Sequence, residues 1–254
     1  MMVFHSDLDN TLIYSYKHDI GKEKTCVEIY QEREISFMTK KSFELLKEVR
    51  EKVCFVPTTT RTQEQYHRID LGIGTPEYAL VCNGGVLLVN GKEDTRWYEE
   101  SLQMAADCQK ELKKAENWLE TDENRDFEIR NIRNLFVFTK SRKPDISMKQ
   151  LQGILNLSLV DVFCNGVKVY VVPKKLSKGT ALKRFRQRKA AECVIAAGDS
   201  AFDIPMLREA DIAIMPQQLA DICPKRNGQK ERKICAYENT IFSDDILTYI
   251  MERI

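Results

Sequence analysis

The sequence has no apolar run approaching the roughly 20 residues that a membrane-spanning helix needs. Residues 1–7 show neither the cationic start nor the apolar stretch of a signal peptide. Neither sign of charge is in excess, with 39 lysines and arginines against 38 aspartates and glutamates, and the basic runs 183–189 and 225–233 are typical of solvated surfaces. We therefore expect a cytoplasmic chain that binds neither nucleic acid nor membrane. The sequence gives no signal for an oligomeric state.

Closely spaced metal-binding cysteines and histidines are also missing. The eight cysteines include no C-x-x-C pair, and the chain has only three histidines, at positions 5, 18 and 67. A structural zinc site needs such pairs, so most of the cysteines are interpreted as small apolar core residues in a reducing compartment, and His5 as a core or packing residue rather than a base. Hydrophobic residues make up 43% of the 254 residues, which excludes disordered and fibrous classes. The length suits one domain, or a core with one inserted module.

Four short apolar runs end in polar or small residues, as buried strands do. These runs are Val3-Phe4 before Asp7-Leu8-Asp9, 53–56 before Thr58-Thr59-Thr60, 78–81 before Asn83-Gly84-Gly85, and 194–197 before Gly198-Asp199. Helical patterns occur at 39–52, 62–70, 177–190 and 204–210. Strands that alternate with helices predict an α/β fold with a Rossmann-like parallel sheet, whose ligands bind at the carboxyl ends of the strands.

Residues 101–172 interrupt this alternation. Their pattern predicts a long helix at 102–120, strands at 127–131 and 134–139, a helix at 147–156, and strands at 160–164 and 167–172 joined by Asn165-Gly166. Two helices and two hairpins are typical of a small α+β module with an antiparallel sheet. We therefore predict a catalytic core formed by 1–100 and 173–254, with 101–172 inserted as a cap domain.

Carboxylates collect at the predicted strand ends. Asp7 and Asp9 lie two residues apart after the first strand, where an extended chain directs both to one side. Their mutual repulsion would be relieved by protonation or by a divalent cation, and Asp199 and Asp203 can add oxygen ligands from the fourth strand end. Oxygen ligands of this kind favour Mg²⁺.

The same edge of the predicted sheet carries donors for an anion. Thr59 offers a hydroxyl at the end of the second strand, and Lys178 offers a cation at the start of a helix. Each residue alone is commonplace: Asp-x-Asp, Thr-Thr-Thr and Gly-Asp-Ser all occur in ordinary strands, turns and caps. Their joint placement at strand ends and helix starts, in a consistent order, indicates a phosphoryl-transfer site.

Four motifs make the sequence similar to a known superfamily. Asp7-Leu8-Asp9-Asn10-Thr11-Leu12, Thr59 before Arg61, Lys178-Gly179-Thr180-Ala181-Leu182, and Gly198-Asp199-Ser200-Ala201-Phe202-Asp203 resemble, in order, the motifs of haloacid dehalogenase-like (HAD) hydrolases. Val81-Cys82-Asn83-Gly84-Gly85 resembles the branch whose cap lies between the second and third motifs, which includes sucrose-phosphate phosphatase and related sugar-phosphate phosphatases.

The resemblance implies a role for each motif. Asp7 would be the nucleophile that forms an aspartyl-phosphate, and Asp9 the acid that protonates the leaving oxygen and then activates water. Magnesium would be held by Asp7, the main-chain carbonyl of Asp9, and Asp199, with Asp203 a direct or an indirect ligand. The phosphoryl oxygens would be bound by Thr59, Lys178 and the main-chain N–H of Thr60. We expect a phosphatase acting on a small phosphorylated metabolite, with a sugar phosphate favoured by the branch.

Three departures from the family pattern keep alternatives open. Thr60 stands where relatives usually have glycine, Phe202 replaces a common asparagine, and residues 14–38 are long enough to form a flap hairpin around Cys26–Phe37. A phosphomutase would use the same aspartyl-phosphate but exclude water. A catalytically silent binding or scaffold protein would bind ligand without turnover, although Asp7 and Asp9 are intact.

Substrate choice is expected to depend on the cap, because the four motifs bind only the phosphoryl group. The predicted hairpin turns of the cap offer cationic and amide side chains that suit hydroxyls and anionic oxygens. The candidates are Arg130, Arg133 and Lys168, beside Asn131, Asn134 and Asn165. The alternative for each residue is a solvated hairpin rim.

Overall fold

The computed structural model describes residues 1–235 and 240–254. They divide into two compact units, Met1–Asp94 with Lys178–Ile254, and Thr95–Ser177. The second unit begins a few residues before the expected insertion 101–172 and ends a few residues after it. Each unit has β-sheet of its own.

The strands of the described residues, in chain order, are β1 (Met2–Ser6), β2 (Tyr14–Ser15), β3 (Lys24–Tyr30), β4 (Arg33–Thr39), β5 (Cys54–Pro57), β6 (Tyr78–Val81), β7 (Val86–Val89), β8 (Lys92–Glu93), β9 (Arg130–Ile132), β10 (Phe136–Lys140), β11 (Val160–Asn165), β12 (Lys168–Pro173), β13 (Cys193–Ala197), β14 (Ile212–Pro216) and β15 (Glu231–Cys235). The helices are α1 (Lys40–Lys52), α2 (Gln63–Tyr66), α3 (Thr95–Ala105), α4 (Gln109–Glu120), α5 (Pro144–Ile154), α6 (Lys178–Lys189), α7 (Ile204–Glu209), α8 (Gln217–Ile222) and α9 (Phe242–Met251).

Five strands of the first unit form a parallel sheet in the order β15-β14-β13-β1-β5. In its centre, Phe4 of β1 lies opposite both Ile195 of β13 and Phe55 of β5. Phe4 and Ile195 are fully buried, as expected of a parallel sheet that is covered on both faces. The predicted α/β fold is thus confirmed, with β14 and β15 as two further strands that the apolar runs described above do not include.

One predicted strand of the parallel sheet lies elsewhere. β6 forms a separate antiparallel sheet with β7 and β8, and it meets the chain after β5 through a single parallel bridge between Thr58 and Leu80. The physical reason is the turn that follows β6, where Cys82, Asn83 and Gly84 all have positive φ. This turn reverses the chain at once, so that β7 becomes the hydrogen-bonding partner of β6.

The segment after the first motif contains the expected hairpin. β3 and β4 pair antiparallel, and the turn residues Gln31 and Glu32 both have positive φ, as in the tight turns of hairpins. The register shifts on either side of Glu28, which marks an irregularity in β3. We call Lys24–Thr39 the hairpin.

Helix α2 is shorter than the predicted 62–70. It begins with a capping box between Thr62 and Gln65 and ends at Tyr66. The following residues pair with the hairpin instead, since Ile69 bridges Glu28 and the Asp70 N–H donates to the Val27 carbonyl at 2.8 Å. None of the helices in the described ranges combines the length and apolar character that a bilayer crossing requires.

The second unit contains a four-stranded antiparallel sheet in the order β11-β12-β10-β9. Its hydrophobic core includes Leu112 of α4, Leu151 of α5, and Val137 and Val171 of the sheet. The predicted hairpin of β11 and β12 is present, but Asn165 pairs with Lys168, so the two-residue turn is Gly166-Val167 rather than Asn165-Gly166. The predicted helix 102–120 is divided instead, because a 3₁₀ turn at Ala106–Cys108 separates α3 from α4.

Candidate active site

The carboxyl ends of three adjacent strands bring the predicted motifs together. The Asp7 N–H donates to the Ala197 carbonyl at 2.9 Å, and the Thr58 N–H donates to the Ser6 carbonyl at 2.7 Å. These bonds continue the pairing of β1 with β13 and of β1 with β5 by one residue. Asp7 therefore lies at the sheet edge between the chain ends that lead to Thr59 and to Asp199.

Lys178 is the central cation of this edge. It opens helix α6 and is 1% exposed, and its Nζ lies 2.7 Å from Asp7 Oδ1 and 2.6 Å from Asp203 Oδ1. Burial alone would lower the pKa of Lys178, but the carboxylates of Asp203 and Asp7 outweigh that effect and raise it. Lys178 is therefore a charged bridge between the first and last motifs.

Asp203 organises the loop that follows β13. Its Oδ2 accepts hydrogen bonds from the Asp199 N–H at 3.2 Å, the Ser200 N–H at 3.0 Å and the Ser200 hydroxyl at 2.9 Å. With Lys178 on Oδ1, the carboxylate has four donors, which is close to its full capacity. Asp203 thus fixes both the loop and the lysine.

Asp7, Asp199 and Asp203 form an acidic cluster, with one carboxylate oxygen of each lying within 4.8 Å of the other two. Burial and the charge of Asp203 raise the pKa of Asp7 well above its ordinary value, and the same two causes raise that of Asp199 to about 7. The Thr11 hydroxyl donates to Asp199 at 2.8 Å. A divalent cation would relieve this repulsion, and hard oxygen donors at such spacing fit Mg²⁺.

Asp9 is more exposed than the buried Asp7, and its charge is one of the causes that raise the pKa of Asp7. The N–H groups of Thr11, Leu12 and Ile13 all converge on the Leu8 carbonyl, so the chain turns directly after Asp9. The Asp9 side chain is half exposed.

The Arg61 guanidinium holds Asp9 by two parallel bonds, from Nε at 2.8 Å and from Nη2 at 2.7 Å. The sequence motifs predict no role for Arg61. Its place two residues after Thr59 is the only signal that could have indicated one.

Thr59 and Thr60 follow β5. Thr59 is fully buried, its N–H donates to the Leu80 carbonyl at 2.8 Å, and its hydroxyl accepts the Arg61 N–H at 3.1 Å. Thr60 is partly exposed beside it. Backbone bonds from Cys82 and Asn83 to the carbonyls of Arg61 and Thr59 hold this segment against the turn after β6.

His5 and Phe202 are both buried. His5 lies on β1, contacts the Phe185 ring edge to face, and shares a hydrogen bond between Nδ1 and the Thr58 hydroxyl at 3.0 Å, and burial lowers its pKa to about 3. Phe202, in the last motif, is 6% exposed, so its ring is part of the core.

The three specificity candidates lie in the second unit. Arg130 begins β9 and forms an ion pair with Glu128. Lys168 begins β12, and its Nζ lies 5.8 Å from the centre of the Phe138 ring. Arg133 lies in the turn after β9 with positive φ. The charged group of each of these three residues lies near an aromatic ring or a carboxylate.

Gly198 gives a test of the loop geometry. A Cβ added there would lie 2.3 Å from Asp203 Cβ, so alanine must displace Asp203. We expect Gly198→Ala to lower turnover by on the order of 100-fold, because misplacing a group at a catalytic site by about 1 Å has that effect. The control is Gly153→Ala, since nothing lies within 4 Å of the added Cβ in helix α5. Equal activity of the two variants in a phosphate-release assay would contradict the prediction.

The fold and the site together define an α/β protein with a lysine-bridged acidic cluster at the carboxyl edge of a parallel sheet. Residues 86–218 match the family model of the haloacid dehalogenase-like hydrolases. The chain belongs to this family. The match includes Lys178, Asp199 and Asp203, whereas Asp7, Asp9 and Thr59 precede it.

Solved structures share the fold over the whole chain. Sucrose-phosphatase from Synechocystis sp. PCC6803, in complex with sucrose and phosphate, has a TM-score of 0.66 at 17% identity, with 99% of this chain and 97% of that chain covered. A haloacid dehalogenase-like hydrolase from B. subtilis has a TM-score of 0.59 at 15% identity, with both chains covered completely. Trehalose-6-phosphate phosphatase from Aspergillus fumigatus has a TM-score of 0.52 at 13% identity, covering 99% and 91%. No curated protein matches the chain in sequence.

Proposed function

We propose that this chain is a Mg²⁺-dependent phosphatase that hydrolyses a small phosphorylated metabolite through an aspartyl-phosphate. The observation that carries the proposal is the bridge from Lys178 to Asp7 and Asp203 beside Asp199. It joins a buried carboxylate nucleophile, a cation for phosphoryl oxygens and ligands for a metal at one sheet edge.

Asp7 and Asp9 divide the chemistry. A carboxylate oxygen of Asp7 attacks phosphorus, the bond from phosphorus to the ester oxygen breaks, and Asp9 gives a proton to the departing oxygen. Asp9 then accepts a proton from the water that attacks phosphorus, which frees Asp7 and releases inorganic phosphate. Asp9 donates to the departing oxygen from its protonated form, whose proton it takes up from solvent, and Arg61 contacts both oxygens of the same side chain.

Lys178, Thr59 and Thr60 would bind the phosphoryl oxygens, the last through its main-chain N–H. Asp7, Asp199 and the main-chain carbonyl of Asp9 would hold Mg²⁺, which supplies positive charge against the phosphoryl oxygens. Asp203 is placed as an indirect ligand in this proposal, because four donors already occupy its oxygens.

A sugar phosphate is the proposed substrate class. The support is the likeness of fold, over nearly the whole chain, to a sucrose-phosphatase and a trehalose-6-phosphate phosphatase. We also propose a cytoplasmic location, which the eight cysteines support because all of them are thiols rather than disulfides.

A panel of phosphate esters tests the function. Sugar phosphates and 4-nitrophenyl phosphate are incubated with and without Mg²⁺, and both phosphate release and isomerisation of the sugar phosphate are measured. We expect metal-dependent release of phosphate. Isomerisation in preference to release would identify a mutase, and no metal-dependent turnover on any ester would contradict the proposal.

Specificity is proposed to come from Arg130, Arg133 and Lys168 of the cap. We expect alanine at any of them to lower kcat/KM for the true substrate by about tenfold, roughly the loss of one charge-assisted hydrogen bond. Activity toward 4-nitrophenyl phosphate should change little, since that ester reaches little beyond the phosphoryl site. Equal effects on both esters, or none, would instead assign specificity to residues 14–38.

A further inference from the structure

The hairpin contains a carboxylate that solvent does not reach. Glu28 on β3 is 1% exposed, and its Oε2 accepts the Ser36 hydroxyl from the paired strand β4 at 2.7 Å. The register shifts on both sides of Glu28, an irregularity of the kind that redirects a side chain out of the regular alternation. A buried carboxylate needs a charged partner, because its desolvation is otherwise too costly.

Arg61 is one such partner, beside Arg68, and it is shared with Asp9. Its Nη1 donates to Glu28 Oε1 at 2.8 Å, while Nε and Nη2 form the two-bond fork with Asp9. The Arg61 side chain is 14% exposed, so the guanidinium is held largely away from water. One planar cation thus joins a buried carboxylate of the hairpin to the half-exposed carboxylate of Asp9.

The backbone of Arg61 is fixed as well. Its N–H donates to the Thr59 hydroxyl, and its carbonyl accepts the Cys82 N–H at 2.7 Å. Because both the backbone and the far side of the guanidinium are restrained, the fork can define one orientation for the Asp9 carboxylate. Asp9 is half exposed on the loop after β1 and needs such a restraint to meet a leaving group with correct geometry.

We propose that Arg61 is a positioning residue for the acid Asp9, and that Glu28 of the hairpin orients Arg61. The inference rests on the proposed function, since it assigns Asp9 the transfer of a proton to the leaving oxygen. It makes the hairpin part of the catalytic apparatus through one buried side chain.

Two aryl esters of similar size test the role in catalysis. Phenyl phosphate has a more basic leaving group than 4-nitrophenyl phosphate and therefore depends more on a correctly placed acid. We expect Arg61→Gln to lower kcat/KM for phenyl phosphate about tenfold more than for 4-nitrophenyl phosphate. Glu28→Gln should act in the same direction with a smaller effect. In an Asp9→Asn background, Arg61→Gln should add no further sensitivity to the leaving group.

The matched control is Arg68→Gln. Arg68 also contacts Glu28, with Nε 3.4 Å from Oε1, and its guanidinium lies over the Tyr30 ring. This variant removes a charge from the same carboxylate, so it reports any general loosening of the hairpin. We expect its ratio of kcat/KM for the two esters to equal that of the unaltered protein.

Amide hydrogen exchange supplies a readout that needs no turnover. Arg61→Gln should speed exchange over residues 8–13, and Arg68→Gln should not. Unchanged exchange over 8–13, or equal loss on both esters, would overturn the positioning role. If the unaltered protein releases no phosphate from any ester, the proposed function fails, and the exchange result alone then decides whether Arg61 orders the Asp9 loop.

Discussion

Asp7→Asn is expected to abolish turnover, with kcat lowered by on the order of 1,000-fold or more, because a neutral amide cannot attack phosphorus. The amide is also a poorer ligand for a divalent cation. The measurement is phosphate release from 4-nitrophenyl phosphate, with the first turnover resolved by rapid mixing. No initial burst of nitrophenol should appear.

Asp9→Asn is the matched comparison. It leaves the nucleophile intact, and nitrophenol leaves almost without a proton, so an initial burst should persist while the intermediate hydrolyses slowly. Equal loss of the burst in both variants would contradict the assigned roles.

Folding of Asp7→Asn can be checked separately. Burial and the charges of Asp203 and Asp199 raise the pKa of the Asp7 carboxyl, so its ionised form opposes folding above the ordinary pKa of an aspartate. The neutral variant should therefore unfold, without metal at pH 8, at a temperature no lower than that of the original chain. A clear decrease would attribute the lost activity to the fold.

Lys178→Met is expected to affect both activity and stability. It removes the buried cation that contacts Asp7 and Asp203, and leaving buried carboxylates without their partner costs about 3–5 kcal/mol. For a chain of this size, that loss corresponds to a decrease of roughly 6–20 °C in melting temperature. Turnover should decrease by on the order of 1,000-fold, since the cation for the phosphoryl oxygens is gone.

Lys183→Met on the same helix is the control. Lys183 pairs with Glu209 at 3.0 Å, but its side chain is 57% exposed, so the loss should be within about 1 kcal/mol. Adding Mg²⁺ should recover part of the stability of Lys178→Met, because the cation neutralises the same carboxylates. Similar melting temperatures for the two variants without metal would show that Lys178 does not stabilise the cluster.

The aspartates and the lysine could be found from sequence because each one follows a strand or opens a helix that the hydrophobic pattern itself predicts. Parallel strands bring such ends to one edge, so the motif residues converge without knowledge of any loop. The strands are predictable where apolar runs are continuous, as in β1 and β13.

The contacts that depend on chain reversals could not be found in the same way. The apolar run of β6 predicts a strand of the parallel sheet. The positive φ angles of residues 82–84 instead reverse the chain, so that β7 pairs with β6. The pairing of Glu28 with Arg61 needs both the irregular register of β3 and the contact of the hairpin with Ile69. Neither follows from a local periodicity, because each depends on tertiary contacts.

The pairing of β1 with β13 has a consequence for how the protein is synthesised. Met2 lies opposite Cys193, so β1 acquires this neighbour only after about 190 further residues have been made, and contacts so distant in sequence form slowly. Residues 95–177 are contiguous and form their own compact unit, so all of the contacts within that unit become available while β1 still lacks its partner. For much of translation, β1 must therefore be kept from associating with other chains. A truncation that ends before residue 193 should expose one edge of β1 and aggregate.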